Sequence, residues 1–258
     1  MKARAWLGLL AWIALASPCA ARSHVRPLFE PTDLEFDAPG TIDFDLQFGL
    51  MRSQGPWRIV VPDAEIDFGL LPNLELSVAG GYAVEGPEQG PFAFDHSVPS
   101  SLWTALKFGA LDIRSADGQA ACALGTALGP KLPVPSQRGV GVEGLLLLGL
   151  MRTRTHAVLN IGGFVDPRWV GGTRPSGLEA GLDLARDLDD AGRFALVGEI
   201  AGVRSFSGDL PQLTISGGGA YSPQPWLDLS LMVVGGVLSG SDRYGLLFGV
   251  SPKIFAWK

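Results

Sequence analysis

Residues 41–50 read TIDFDLQFGL, and this stretch alternates between two kinds of side chain at every step. Its even-numbered positions are large and apolar, whereas its odd-numbered positions are polar or glycine. Neighbouring side chains of an extended strand point to opposite faces, whereas on a helix the same acids would be spread around the axis. The segment therefore predicts a β-strand that lies between an apolar and a polar environment.

The same alternation recurs along the chain, as in 64–70 (AEIDFGL), 74–78 (LELSV), 178–184 (LEAGLDL) and 227–231 (LDLSL). Turn-forming residues separate these segments. They predict about twelve strands of about 10 to 14 residues, near the length that a tilted strand needs to cross a membrane. The predicted strands are 40–52, 57–70, 74–85, 101–113, 119–129, 139–150, 156–165, 177–188, 193–204, 212–221, 226–236 and 243–255.

The connections between these segments differ in length according to their position. Those after even-numbered strands are compact, for example 71–73 and 189–192, whereas several after odd-numbered strands are longer, notably 86–100 and 166–176. The connection 53–56 departs from this rule because it is short. An even strand number with short turns at one end and longer loops at the other is typical of outer-membrane barrels. The predicted fold class is therefore all-β, a single antiparallel up-and-down transmembrane β-barrel of about twelve strands.

The amino-terminal residues have the order of features found in a secretory signal peptide. Lys2 and Arg4 make the start positive, 6–16 is apolar, and the small residues Ala20 and Ala21 follow. The apolar core is too short for a transmembrane helix. The expected organisation is a signal peptide over 1–21, a periplasmic segment over 22–39 that stays outside or enters the barrel mouth, and the outer-membrane barrel over 40–258.

The composition limits the compartment and the partners of the chain. Hydrophobic residues make up 47% and charged residues 18%, yet the best candidate for a spanning helix, 139–151, is interrupted by Glu143. Backbone in lipid must form a helix or a closed barrel. The net charge of −6 argues against a nucleic-acid partner. Only Cys122 remains after processing, which excludes an intramolecular disulfide. The expected location is the bacterial outer membrane, with outer-membrane lipid and the barrel assembly machinery as partners.

The polar face of the strands defines the predicted lumen, because ionised carboxylates facing hydrocarbon would be costly. The basic residues predicted on this face are Lys107, Arg243 and Lys253. The acids favour either a cation-preferring passage or a water-filled interior in which they are solvated and pair with Lys and Arg. The lumen-lining candidates are Asp43, Asp45, Glu65, Asp67, Glu75, Lys107, Glu143, Asn160, Glu179, Asp183, Glu199, Asp228 and Lys253.

Closure of the barrel would place the last strand beside the first. Asp43 and Asp45 lie on the first strand, and Glu65 and Asp67 lie on the second, all in the periplasmic half. Lys253 on the last strand would then come near Asp43 or Asp45. We predict this ion pair as a contact that closes the barrel.

Other motifs are weak. Residues 139–144 (GVGVEG) fit the GxGxxG dinucleotide fingerprint, but that motif needs a following helix and period-two sequence follows here. The only histidines are His24, His96 and His156. His96 lies in a predicted loop, where adjacent residues rarely converge on one reacting atom. No Cys or His pair has metal-ligand spacing. We expect no catalytic residues, no cofactor and no metal.

Aromatic residues fall near the predicted strand ends. This placement is expected for the girdles that barrels carry at the two membrane interfaces. The predicted girdle residues are Trp57, Tyr82, Trp103, Trp169, Tyr221, Trp226, Tyr244 and Trp257.

Short elements of the chain resemble a group of bacterial proteins. They are the sequence RPL at 26–28, PGTIDFD at 39–45, LPNLEL at 71–76, and a strand with a Lys-Leu-Pro element at 127–135. Together they resemble outer-membrane transporters of the phenol-degradation MetA-pathway type. This resemblance implies a barrel for uptake of hydrophobic or aromatic compounds. The sequence departs from the pattern after Lys-Leu-Pro, where it has Val134-Pro135 instead of Thr-Gly.

Three functions are compatible with these features. The first is passive passage of small solutes, including hydrophobic or aromatic ones, through an acidic lumen. The second is a non-conducting structural or surface barrel with a closed interior. The third is a soluble periplasmic barrel that binds an apolar ligand, and it would need a polar outer face.

Overall fold

The computed structural model describes residues 36–52, 57–86, 96–99, 101–172, 174–207 and 209–256. No helix that is long and apolar enough to span a membrane occurs in these ranges. The predicted signal peptide over 1–21 and most of the predicted segment 22–39 lie outside the described residues.

The described chain forms long antiparallel strands joined by turns. We number the barrel strands in chain order. They are β1 (Thr41–Arg52), β2 (Trp57–Leu71), β3 (Leu74–Gly86), β4 (Leu102–Arg114), β5 (Ala120–Leu132), β6 (Gly141–Arg152), β7 (Thr155–Val165), β8 (Ser176–Asp187), β9 (Phe194–Ser205), β10 (Gln212–Gln224), β11 (Leu227–Gly236) and β12 (Tyr244–Phe255).

These strands close into a barrel. Each strand pairs with its sequence neighbours, and β12 also pairs with β1, from Thr41 opposite Phe255 to Arg52 opposite Tyr244. Closure leaves no long unpaired edge among these strands. The predicted twelve-stranded up-and-down barrel is thus confirmed. The largest differences in strand bounds are at the ends of β5 and β10, which extend to Leu132 and Gln224 rather than to 129 and 221.

The two ends of the barrel differ in their connections. Short turns such as 153–154 join the strands at one end, which the loop-length rule assigns to the periplasm. At the other end the loops after β5 and β7 fold onto each other, because Gln137–Arg138 pairs with Arg168–Trp169 in a small second sheet. Arg174 strengthens this contact, because its guanidinium donates a hydrogen bond to the Val140 carbonyl of the loop after β5 and, from Nε, a second one to the Asp166 carbonyl of its own loop at 2.9 Å.

One periplasmic turn is held by a side chain. The Ser115 hydroxyl donates a hydrogen bond to the Asp117 carboxylate at 2.6 Å, and the Gln119 backbone N–H donates a second one at 3.0 Å. Both bonds favour the ionised carboxylate, so the pKa of Asp117 lies below its ordinary value. The turn therefore keeps its charge and its shape at neutral pH.

The two faces of the wall carry different side chains. Large apolar residues on the outer face are exposed, including Leu178, Leu196 and Val233 at 54–63%. The residues between these exposed ones include polar, small and apolar side chains, and they are mostly buried or half-buried. In a closed barrel the exposed row faces outward and the buried row faces the interior.

A β-bulge in β2 breaks the strict alternation. Val60 lies opposite Gly49 and Asp63 opposite Gln47, so Val61 and Pro62 together oppose a single residue of β1. The extra residue reverses the parity of the outer third of β2. As a result Val60 is buried and Val61 is exposed. Arg58 therefore lies on the same face as its partner Met51, which points inward.

Some sequence predictions about particular side chains are wrong. Trp103 is not a girdle residue but lies inside the barrel at 2% exposure, because it shares the parity of Lys107 on β4. Arg243 is an exposed loop residue, since β12 begins only at Tyr244. Of the other predicted girdle residues, Tyr82 and Trp226 are exposed as expected, and so are Tyr221 and Tyr244, whereas Trp257 lies outside the described residues.

Candidate functional site: the inner wall of the barrel

All of the lumen-lining candidates predicted from the sequence are buried or half-buried, and none of them is exposed. The register brings several of them together, with Asp45 opposite Glu65 on the next strand and Asp183 opposite Glu199. The buried members are Asp43, Glu65, Glu75, Lys107, Glu143, Asn160 and Glu199. The half-buried members are Asp45, Asp67, Glu179, Asp183, Asp228 and Lys253.

The seam between β12 and β1 carries an ion pair. Lys253 Nζ lies 2.9 Å from Asp43 Oδ2 and 2.9 Å from Asp37 Oδ1. Asp43 and Lys253 are direct partners in the ladder between the two strands. The ion pair predicted to close the barrel is confirmed, and Asp37 joins it as a second carboxylate.

Three carboxylates form a cluster beside this seam. Oxygen atoms of Asp45, Glu65 and Asp67 lie within 4.8 Å of one another on β1 and β2. Ser251 donates a hydrogen bond to Asp45, and Ser77 donates one to Asp67. Carboxylates at such distances repel each other when ionised, so this part of the wall favours cations.

The neighbouring wall carries a second ion pair. Lys107 Nζ on β4 lies 3.3 Å from Glu75 Oε1 on β3, and both side chains are about as buried as an apolar core residue. The Asp37 backbone N–H donates a hydrogen bond to Glu75 Oε2 at 2.8 Å. The Lys107 ammonium also lies 5.3 Å from the centre of the Phe36 ring. The chain before β1 therefore contacts the inside of the barrel.

Lys131 is an inward-facing cation that the sequence prediction missed. Its Nζ lies 2.5 Å from Glu143 Oε2, 2.9 Å from Asp166 Oδ1 and 5.2 Å from the centre of the Phe164 ring. The predicted strand ended at 129, which left Lys131 in a loop. The alternation along the strand could have placed it, because Lys131 is two and four positions from Gly129 and Ala127 and therefore shares their face. Lys131 ties the outer end of the wall to the loop after β7.

Two acids on the far wall accept hydrogen bonds from neighbouring side chains. Asn160 Nδ2 donates to Asp183 Oδ2 at 3.4 Å, and the Ser216 hydroxyl donates to Glu199 Oε2 at 3.1 Å. Hydroxyl and amide donors stabilise carboxylates without cancelling their charge. These two bonds therefore leave the charges of Asp183 and Glu199 in place.

The interior also carries two apolar patches in its outer half. We call the first the β4 patch, because Trp103 is its largest residue, and the second the seam patch, because it lies on both sides of the contact between β12 and β1. The β4 patch contains Ala79, Trp103, Ala105, Ala127, Leu145 and Leu147. The seam patch contains Met51, Val60, Met232, Val234 and Leu247.

Comparisons with known proteins bear on the fold. No model of a protein family matches the sequence, and no curated protein matches it significantly. Among solved structures the chain is similar to an outer membrane channel from Pseudomonas putida F1, with a TM-score of 0.61 and 9% identity over 87% of this chain and 99% of that one. It is also similar to the NanC porin, with a TM-score of 0.54 and 8% identity over 83% of this chain and 100% of the porin.

This chain is an outer-membrane β-barrel. The fold it shares with these two proteins and the exposed apolar outer face agree on this point. At these identities the likeness concerns the fold alone. The resemblance to transporters of the MetA-pathway type stays a prediction.

Proposed function

We propose that this barrel is a passive channel for small solutes that prefers cationic or neutral molecules over anions. One observation carries the proposal. Among the described residues the wall is closed and apolar outside, and the carboxylates that we assign to its inner face, from Asp43 near the periplasmic end to Glu143 near the outer end, are more numerous than the cations that we assign to it. An apolar outer face around a polar interior is typical of a barrel that spans a membrane and is unusual for a soluble domain.

The two inner apolar patches support a solute with an apolar part. The β4 patch and the seam patch lie in the outer half, and most of the acids lie in the periplasmic half. A solute that enters from outside would contact apolar side chains first and carboxylates afterwards. Apolar side chains with a few polar groups are the usual lining of sites for small organic molecules. Together with the resemblance to transporters of the MetA-pathway type, this favours hydrophobic or aromatic solutes.

Planar-bilayer recording tests the channel. Purified, heat-modifiable barrel is expected to give discrete current steps if solutes pass through its interior from one end to the other. Under a KCl gradient the reversal potential is expected to have the sign of K⁺ preference, since the carboxylates favour K⁺ over Cl⁻. Anion preference would contradict the acidic passage, and the absence of both current and flux of small aromatic solutes into liposomes would contradict transport.

A second candidate is a non-conducting structural barrel, and the packing of the interior favours it. Met51 and Leu147 are at 0% exposure and Gln47 at 2%, so side chains fill the barrel at these levels. A folded barrel without current or flux would support this candidate. A soluble ligand-binding barrel is disfavoured by the exposed apolar outer face.

The proposal assigns the barrel no catalysis and no cofactor. Gly139 of the GxGxxG stretch has a positive φ of 76°, and strand β6 rather than a helix begins at Gly141. The context that a dinucleotide site requires is therefore missing at this stretch.

A further inference from the structure

The five residues before β1 lie across the inside of the periplasmic mouth. We call residues 36–40 the strap. It leaves β1 at Thr41 and passes along the inner side of β2, where the Gly40 backbone N–H donates a hydrogen bond to the Gly69 carbonyl at 2.9 Å. A Cβ at Gly69 would lie 2.3 Å from the Ala38 carbonyl oxygen, so only glycine leaves room for the strap there. The wall is shaped to receive it.

The middle of the strap is held by two strands that lie on opposite sides of β1 and β2. The Asp37 carboxylate pairs with Lys253 on β12 at 2.9 Å. Its backbone N–H donates to Glu75 on β3 at 2.8 Å. Both are charge-assisted contacts, which are stronger than contacts between neutral groups. The strap therefore ties β12 to β3 from within the lumen.

The first residue of the strap rests on β4. A Cβ at Gly109 would lie 2.9 Å from the Phe36 ring, so the ring packs directly on the backbone of this strand. The Lys107 ammonium lies 5.3 Å from the ring centre, within the range of a cation–π contact. From Thr41 to Phe36 the strap thus runs along the inner wall from β1 to β4.

We propose that the strap is a closing element of the channel, held shut by Lys253, Glu75 and Lys107 and able to leave the mouth. This inference rests on the proposed channel function. Every contact of Asp37 and Phe36 described above is a side-chain or single-bond contact, so residues 36–38 can leave the wall while the Gly40 N–H keeps its hydrogen bond to the Gly69 carbonyl. The strap lowers ion flow when docked and raises it when released.

The test uses the full barrel in planar bilayers. Asp37→Asn removes the charge that pairs with Lys253, and Phe36→Ala removes the ring that rests on Gly109. Loss of one charge-assisted contact is expected to raise the ratio of open to closed time about tenfold. Asp117→Asn and Phe194→Ala are the matched controls, because each removes the same group at the periplasmic end away from the strap, and both are expected to leave the currents unchanged.

Hydrogen exchange supplies a second readout that does not depend on current. The amide hydrogens of Asp37 and Thr41, which are bonded to Glu75 and to the Ala38 carbonyl, are expected to exchange slowly in the unaltered protein and faster in Asp37→Asn. Faster exchange with longer open times supports the strap as a closing element. Faster exchange with unchanged currents overturns the strap and leaves the channel standing, and unchanged exchange overturns it as well. Absence of current in every variant overturns the channel and the strap together.

Discussion

At the scale of single residues, Lys253 shows how closure makes a contact that neither strand can make alone. Its ammonium lies between Asp43 and Asp37, which belong to the first strand and to the strap. Asp43 is almost fully buried, so its charge depends on this neighbour. Removing one partner of a buried pair is more costly than never having formed the pair.

Lys253→Met is expected to destabilise the barrel. The substitution leaves two carboxylates near each other without their shared cation, and because Lys253 is partly exposed we expect a loss of about 1–3 kcal/mol. The measurement is the temperature at which the folded band disappears in semi-native gels. Arg154→Met is the control, since the Arg154–Asp190 pair is exposed and should contribute little. Equal shifts for both variants would contradict the role of the seam.

Asp67→Asn is expected to lower cation preference and to raise stability. Two carboxylates about 5 Å apart repel by about 3 kcal/mol at an effective dielectric constant near 20, and Asp67 lies in a cluster of three. The asparagine oxygen can still accept the hydrogen bond from Ser77. Reversal potential and melting temperature are the readouts, with the exposed loop variant Asp209→Asn as the control. A lower melting temperature for Asp67→Asn would show that the cluster does not store repulsion.

At the scale of elements, the bulge in β2 decides which residues line the outer third of that strand. Pro62 cannot donate a backbone hydrogen bond, and it lies where the ladder is interrupted on both sides. Because the parity is reversed, Val60 points inward and belongs to the seam patch. Arg58 also points inward and forms an ion pair with Asp242. A single extra residue thus changes the lining of the barrel.

Deletion of Val61 is expected to weaken folding. Without the extra residue, Val60 and Arg58 would turn to the outer face unless the whole strand slipped, and a one-residue slip reverses every side chain. The fraction of heat-modifiable protein after refolding is the measurement. Deletion of Ala191 is the matched control, because it shortens a periplasmic turn outside the ladders. Equal refolding yields would mean that the bulge does not set the register.

At the scale of the whole molecule, the two faces of the barrel fit two different solvents. Exposed side chains on the outside are those of a protein core, while buried polar groups lie inside. This inverse arrangement is stable only where hydrocarbon replaces water around the wall. The stability of the folded barrel therefore depends on the surrounding membrane.

The mature chain is expected to fold only in the presence of detergent or lipid. In aqueous buffer the outward row of residues such as Leu178 and Val233 would remain in water, so aggregation competes with folding. Micelles should produce strand circular dichroism and a gel mobility that changes on boiling. A soluble, folded monomer without detergent would instead support a periplasmic ligand-binding barrel.

The sequence by itself determined the strands, their number and the alternation of their faces, because alternation is a local property of an extended backbone and the cost of charge in lipid fixes its direction. It even placed Lys253 near Asp43 or Asp45, since closure is required of any barrel. Only the tertiary structure decided the bulge at Val61–Pro62 and the docking of Asp37 on Lys253 and Glu75. These features depend on the register between strands and on space left by glycines of distant strands, which no short stretch of sequence records.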